Sequence, residues 1–387
     1  MTATVVVSAK GAARWRQGHP WIYRSDVLTP TRVPAGPVRV TDRSGRFLGQ
    51  ALFSPASEIR LRLLTVEAEP LDAAWWRARL EAAAARRASL SPDTTAYRVV
   101  HAEGDGLPSL VVDRYGDVVV AQILSAGLEA VRPQVLDAIQ ATLRPRGVLL
   151  RNDASVRRHE GLPLEVVEAA GSVPETIEVR EGDVRYLVSP REGQKTGAFL
   201  DQRENRLLVG RLAGGEALDL FTYQGLFALH MAGRCDTVVA VDSSGAALAV
   251  ARRNAELNGI RHVEWREANA FDLLRALERE GRRFDAIVLD PPAFAKQKSA
   301  LPRALAGYKE INLRALRLLR PGGVLYTASC SFHVDRAAFL GLLADAAADS
   351  GRRIAVERIT GQSSDHPELL TVPETGYLKG AVLRVIG

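Results

Sequence analysis

From about residue 190 onward, short apolar runs alternate with amphipathic or Ala-rich runs. Residues 217–221, 237–242, 262–267, 285–290 and 324–329 read as strands. Between them, 225–232, 244–258, 273–280 and 307–319 read as helices, the last stopped by Arg320-Pro321-Gly322-Gly323. Such alternation predicts a parallel, doubly wound sheet. Two late strand patterns, 353–359 and 379–385, close the chain.

The first 70 residues show a different rhythm. Apolar segments at 4–7, 38–41 and 59–64 are cut by Pro34, Gly36, Pro37 and Gly45, which predicts a small β-rich domain over 1–70. Cations such as Lys10, Arg14, Arg16, Arg24, Arg39, Arg60 and Arg62 interleave with Trp15, Trp21 and Tyr23. That mixture suits RNA, where cations meet phosphates and aromatics stack on unpaired bases. It equally suits core aromatics beneath a solvated Arg face, and the pattern leaves both open. Residues 71–188 predict a small α+β domain. It has a helix over 72–91, strands at 111–112 and 118–123 around Tyr115-Gly116-Asp117, a helix over 128–143, and extended 147–151 and 184–188. The third domain then spans 189–387.

Composition narrows the classes. The 387 residues are 47% hydrophobic and 25% charged, which predicts an ordinary globular protein able to bury a core. The net charge of +6 suits a polyanionic partner without demanding one. Two cysteines exclude a disulfide framework or a four-Cys zinc site, and the scattered histidines predict no metal. No apolar run reaches about 18 residues and the first residues lack a signal core, so no membrane span and a cytoplasmic location are expected.

Candidate chemistry lies at the carboxyl ends of the predicted strands, where open α/β sheets hold ligands. The first end reads Asp219-Leu220-Phe221-Thr222-Tyr223-Gln224-Gly225, with Gly225 able to bring backbone close to a ligand. No dinucleotide or triphosphate fingerprint is present. At the second end Asp242 follows Asp219 by about the interval expected of a ribose-binding carboxylate. The third, Asn269-Ala270-Phe271, suits the edge and face of an adenine. Each residue alone also fits a helix cap; in this order they predict a nucleoside cofactor. Asp290-Pro291-Pro292-Ala293-Phe294 follows a strongly apolar strand and resembles motif IV of methyltransferases acting on planar nitrogen or base carbon. Phe294 would stack on the target base. Cys330, flanked by Ser329 and Ser331 at a strand tip, is the candidate nucleophile, because a thiol attacks well and leaves readily. Cys235 reads as a small buried hydrophobe. Lys309 lies on a helix with Arg314, Arg317 and Arg320. That face is either solvated or guides phosphates.

Longer runs carry a family resemblance. Gly18-His19-Pro20-Trp21-Ile22-Tyr23, Glu103-Gly104-Asp105-Gly106-Leu107-Pro108 and Val111-Val112-Asp113-Arg114-Tyr115-Gly116-Asp117 are followed by the long run Gln194 to Arg206. Asp290-Pro291-Pro292, Tyr308-Lys309-Glu310-Ile311-Asn312, Ser329-Cys330-Ser331, Asp365-His366-Pro367 and Tyr377-Leu378-Lys379-Gly380 then come in order. The chain resembles, over nearly its whole length, the bacterial large-subunit ribosomal RNA methyltransferase I family, which makes 5-methylcytosine in 23S rRNA. The resemblance implies an N-terminal PUA domain and a class I methyltransferase fold with a mostly parallel seven-stranded sheet. It implies S-adenosyl-L-methionine as cofactor, 23S rRNA or a large-subunit precursor as partner, and leaves a homodimer open. It further implies that Cys330 is the nucleophile and that Lys195, Thr196 and Gln202 lie near cofactor or target base. The family usually has Asp at the place of Asn269, and Phe-Cys-Tyr-Thr-Gly in place of Phe221-Thr222-Tyr223-Gln224-Gly225. No second Cys follows the motif IV prolines, so Asp290 is the candidate base for releasing Cys330. The competing readings are an exocyclic-amine methyltransferase and a non-catalytic RNA-binding assembly factor.

Overall fold

The structure, a computed structural model, describes residues 3–29, 33–90, 92–295 and 297–386. The chain forms two compact units. One holds the residues up to 179 together with 188–200 and 364–376; the other holds 180–187, 201–363 and 377–387.

The first unit contains two five-stranded sheets. Strands β1 (Thr4–Val6), β2 (Trp21–Tyr23), β3 (Gly36–Thr41), β4 (Phe47–Phe53) and β5 (Ile59–Thr65) stand in the order β1-β3-β4-β5-β2. Their core is built from Val5, Val38, Val40, Ala51 and Leu61, with Ala12 and Trp15 from the helix Ala9–Arg16. Strands β6 (Ala96–His101), β7 (Leu110–Tyr115), β8 (Val118–Ile123), β9 (Gly147–Asn152) and β10 (Glu165–Gly171) form the second sheet, ordered β10-β9-β8-β7-β6. The helices Ala73–Ala85 and Arg132–Leu143 bury Trp76, Leu80, Val135 and Ile139 against it.

Leu52 and Leu64 of the first sheet share this second core. Arg62 reaches the buried Glu160 at 2.9 Å. Residue 70 therefore marks a change of sheet but not of packing unit. The segment 364–376 also belongs here, although the sequence pattern groups it with 189–387. Arg87 donates to the Asp365 carbonyl at 2.6 Å, and the Asp365 carboxylate accepts from the Arg98 amide at 2.8 Å. These contacts join residues some 270 apart in sequence, which no local periodicity reveals.

A hairpin of β11 (Ile177–Glu181) and β12 (Val184–Val188) carries the chain onward. The second unit is built on β13 (Gly215–Leu220), β14 (Cys235–Asp242), β15 (Val263–Glu267), β16 (Phe284–Leu289), β17 (Leu319–Ser329), β18 (Ile354–Thr360) and β19 (Lys379–Val385). Their order is β15-β14-β13-β16-β17-β19-β18. Pairs among the first five strands in the order are parallel, and β19 runs antiparallel to β17 and β18. Alternate residues feed two cores: Leu218, Val239 and Ile287 face Leu274, Ile311 and Leu343, while Ala217, Val238 and Ala286 face Val209, Phe227 and Met231. The chain runs outward from β13 to β15, then crosses back to β16 beside β13. This switch point opens a crevice at the carboxyl ends of the strands.

The helix expected from 307 begins at Leu301 instead, because Pro302 occupies its first turn, where a missing N–H is harmless. The helix expected over 128–143 is split into Ala126–Glu129 and Arg132–Leu143, with Pro133 opening the second piece. Among the described residues, no helix is long and apolar enough to cross a membrane.

Candidate active site at the strand tips

The tip of β13 turns sharply. Phe221 and Tyr223 take φ of 65° and 51°, and Gly225 takes 83°. Left-handed conformations in non-glycine residues are strained by about 1 kcal/mol or more, and persist where surrounding contacts impose them. Here the imposing contacts are visible. Asp219, fully buried, accepts from the Thr222 hydroxyl at 2.5 Å and the Ala228 amide at 3.0 Å. A Cβ on Gly225 would lie 2.6 Å from the Trp265 ring, so only glycine fits that turn. The second carboxylate oxygen of Asp219 is buried with no partner. Burial pushes the Asp219 carboxyl up to about 7; nearby Asp290 and Asp242 add to this, against the two hydrogen bonds that favour its charge.

At the tip of β14, Asp242 is oriented by two backbone amides. Tyr223 donates at 2.8 Å and Ser244 at 2.9 Å, one to each oxygen. Each oxygen keeps lone pairs for further donors, as a ribose-binding carboxylate requires. Asn269 caps the helix Ala270–Arg279, its side-chain oxygen accepting from the Phe271 amide at 2.9 Å and the Asp272 amide at 3.3 Å. The cap leaves the Ala270 amide without an acceptor among the described residues, and an orphan first-turn amide is a natural partner for an adenine ring nitrogen.

Asp290 follows β16 directly. Its Oδ1 accepts from Gln202 at 2.8 Å, and the Gln202 oxygen accepts from Tyr326 at 2.9 Å and Asn205 at 2.7 Å. Gln202 is buried and engaged from both ends. Gln202 thus holds Asp290 in place at the strand tip. Burial keeps the Tyr326 phenol well above its ordinary pKa, so it remains a hydrogen-bond donor.

Phe294 does not stand free as a base-stacking ring. It packs 4.5 Å from Tyr308, 5.9 Å from Phe271 and 6.5 Å from Phe221, centroid to centroid. It forms a half-buried aromatic wall beside the β13 tip, and stacking on a base is limited to its remaining surface.

Cys330 follows β17, the neighbour of β16, and is half-buried. Its Sγ lies 4.0 Å from the Pro291 carbonyl oxygen. The flanking Ser331 is fixed by Tyr308, 2.9 Å between hydroxyls, and by the Ala295 amide, which donates to it at 3.3 Å. Lys379 donates to the Ser331 carbonyl at 2.8 Å. Asp290 and Cys330 therefore stand on adjacent strand tips, with Asp219 and Asp242 on the next two. Lys379 was quoted only as part of a family run. Its register opposite Ser329 was the available signal, but that requires knowing how β19 pairs.

The remaining candidates stand differently. Thr196 belongs to the first unit and is fully buried, its hydroxyl 2.5 Å from Asp113 and 2.9 Å from the Tyr115 hydroxyl. Its side chain knits that unit together rather than offering itself to a substrate. Lys195, also in the first unit, is exposed at φ 56°, its ammonium 4.6 Å from the Phe199 ring centroid. Lys309 pairs with Asp349 at 2.8 Å between two helices, on an exposed face. Arg314, Arg317 and Arg320 are likewise paired, with Glu278, Glu310, Glu216 and Asp285, so they form an ion-paired face and not a phosphate guide. In the N-terminal domain Trp15, on the helix Ala9–Arg16, is core. Tyr23 lies under Arg14, and Trp21 donates to Glu103 at 2.9 Å. Among the described residues, no group of His, Cys, Asp and Glu is arranged to hold a metal.

Comparison with known proteins adds to this geometry. A PUA-like domain matches residues 5–66, and an S-adenosylmethionine-dependent methyltransferase domain matches residues 98–384. The ribosomal RNA large subunit methyltransferase I of Klebsiella pneumoniae (strain 342) is 39% identical over 392 residues, covering 98% of both chains. The protein of that name from Shewanella amazonensis is 40% identical over 378 residues, covering 95% of both. A solved structure from Streptococcus mutans, described as a SAM-dependent methyltransferase, superimposes with a TM-score of 0.82 at 20% identity, covering 99% of this chain and all of that one. Another methyltransferase, solved with SAH, gives 0.84 at 21% identity with the same coverage. At these identities the two structures show a shared fold.

Proposed function

Because this chain belongs to the ribosomal RNA large subunit methyltransferase I family, within the S-adenosylmethionine-dependent methyltransferases, we propose that it methylates C5 of a cytosine in large-subunit rRNA through a covalent adduct with Cys330. The observation that carries this reading is the placement of a half-exposed thiol on the strand tip beside Asp290, next to the three-carboxylate crevice.

The crevice suits the cofactor. Three carboxylates, one of them with an unpartnered buried oxygen, favour a ligand bearing a sulfonium and an ammonium. Asp242 suits the ribose hydroxyls, and the Ala270 amide with Asn269 suits the adenine edge. Phe221 and Tyr223 line the β13 turn beside them. When bound, S-adenosylmethionine supplies an electrophilic methyl group. The Cys330 thiolate attacks C6 of the cytosine, forming a C–S bond while the C5–C6 π pair shifts toward C5. C5 would then take the methyl group, whose bond to the sulfonium sulfur breaks with the electron pair left on that sulfur. Asp290, held by Gln202, removes the C5 proton; the freed pair restores the double bond and the C–S bond breaks, returning Cys330 to thiolate.

The PUA-like domain supports RNA as the substrate, and the reading puts the enzyme in the cytoplasm with ribosome assembly. Lys195, exposed and cationic, is a phosphate contact in this reading. The test is incubation with labelled S-adenosylmethionine and rRNA lacking the modification, followed by mapping of the label. Label on C5 of a cytosine, lost in Cys330→Ala, supports the reading. Label on an exocyclic nitrogen, retained in Cys330→Ala, replaces it with the amine chemistry that an Asp-Pro-Pro motif also serves.

A further inference from the structure

Lys379 is a buried lysine with no carboxylate within ion-pair distance among the described residues. Its chain position is set by β19, which pairs antiparallel with β17 and places Lys379 opposite Ser329, one residue before Cys330. Its ammonium donates to two carbonyls, Ser331 at 2.8 Å and Tyr377 at 2.9 Å. No ion pair joins it to an Asp or Glu among the described residues. A buried ammonium held by carbonyls alone is costly, since carbonyl dipoles offset only part of its desolvation. Burial accordingly lowers its pKa below that of a free lysine. Cys330 and Asp335 favour the charged form of Lys379, while burial and Arg336 oppose it, burial most strongly.

We propose that Lys379 is a positioning residue that holds Cys330 as the thiolate. Tyr308 and the Pro291 carbonyl, which also face this sulfur, carry no positive charge. Tyr308, on the helix Leu301–Leu318, has its phenol pushed up by burial and stays neutral. The Pro291 carbonyl, 4.0 Å away, is a negative dipole end, and Asp290 beside it is an acid. At the start of the helix Arg336–Ser350, Asp335 and Arg336 bring opposite charges toward Lys379. Lys379 is thus the cation whose position is fixed through the residue next to the nucleophile. Its two carbonyl bonds also anchor the strand tip, so charge and geometry are set by one side chain.

The inference rests on reading Cys330 as the nucleophile, and the test separates the two. In a Cys235→Ala background, the rate of alkylation of Cys330 by iodoacetamide is followed against pH. Alkylation reads the ionisation of the sulfur whether or not methyl transfer runs through it. The parent midpoint is expected below the ~8.5 of a free cysteine. Lys379→Met is expected to raise it by about one unit, slowing alkylation near pH 7.5 about tenfold while leaving the high-pH plateau unchanged. Lys379→Arg, which keeps the charge, should retain the low midpoint. An unchanged midpoint in a folded Lys379→Met protein overturns the proposal. So does a parent midpoint at or above that of a free thiol, whether or not any variant folds.

Discussion

The two cysteines of this chain sit at opposite edges of one sheet. Cys235 opens β14 at the amino edge. It is buried in the core with Val238 and Met231, and burial, with Asp236 and Asp285 nearby, pushes its thiol up to about 11. Cys330 follows β17 at the carboxyl edge, half-exposed, with the Lys379 ammonium anchored through the next residue. The same atom lies in the apolar core in one place and at a strand tip next to that of Asp290 in the other. The difference is made by which end of a parallel strand carries it. The carboxyl edge gathers loops and polar groups at a switch point, whereas at the amino edge Cys235 stays in the apolar core beside a pocket lined by Glu216, Asp236, Arg261 and Arg282.

The largest expected effect would break this contrast outright. Cys330→Ala should lower methyl transfer by at least about a thousandfold, the scale typical of losing a covalent nucleophile, while leaving S-adenosylmethionine binding intact. Single-turnover assays and calorimetry on one preparation would check both halves. Next in size, Asp242→Ala should weaken S-adenosylmethionine binding about ten- to hundredfold, since it removes hydrogen bonds to a charged acceptor. The carboxyl edge should also show a pH signature. Asp219 is mostly protonated below about 7, and a cationic ligand binds its ionised form better. Cofactor affinity should therefore rise with pH, about tenfold between pH 6 and 8, as the ligand draws that proton off. Calorimetry should show proton release on binding, and Asp219→Asn should flatten the profile. The smallest effect belongs to the amino edge: Cys235→Ala should change methyl transfer less than about twofold and cost about 1 kcal/mol of stability at most, read by denaturant unfolding.

Strand-end chemistry was legible in the sequence because it is local. Asp219, Asp242 and Asn269 each follow an apolar run and precede a helical one, and Cys330 stands between serines at such a tip. The position of each on the chain predicts its edge of the sheet. What depends on distant pairing was not legible. Gln202 proves to hold Asp290 from 88 residues away, through a helix whose own pattern says nothing of β16. Lys379 stands next to Cys330 only because β19 inserts antiparallel beside β17. The return of 364–376 to the first unit depends on Arg87, Arg98 and Asp365, buried charges that read locally as surface. The partner of Lys309 was not legible either. A cation on an amphipathic helix is a weak signal, and here Asp349 on a neighbouring helix neutralises it.

The central claim is a bond between the sulfur of Cys330 and C6 of a cytosine. RNA carrying 5-fluorocytosine at the modified position tests it most directly, because fluorine at C5 cannot be removed as a proton and the adduct is trapped. The account predicts a stable protein–RNA conjugate that requires S-adenosylmethionine, maps by mass spectrometry to the peptide containing Cys330, and disappears in Cys330→Ala. Turnover of natural RNA with no conjugate on the fluorinated RNA, or a conjugate at Cys235, would contradict it.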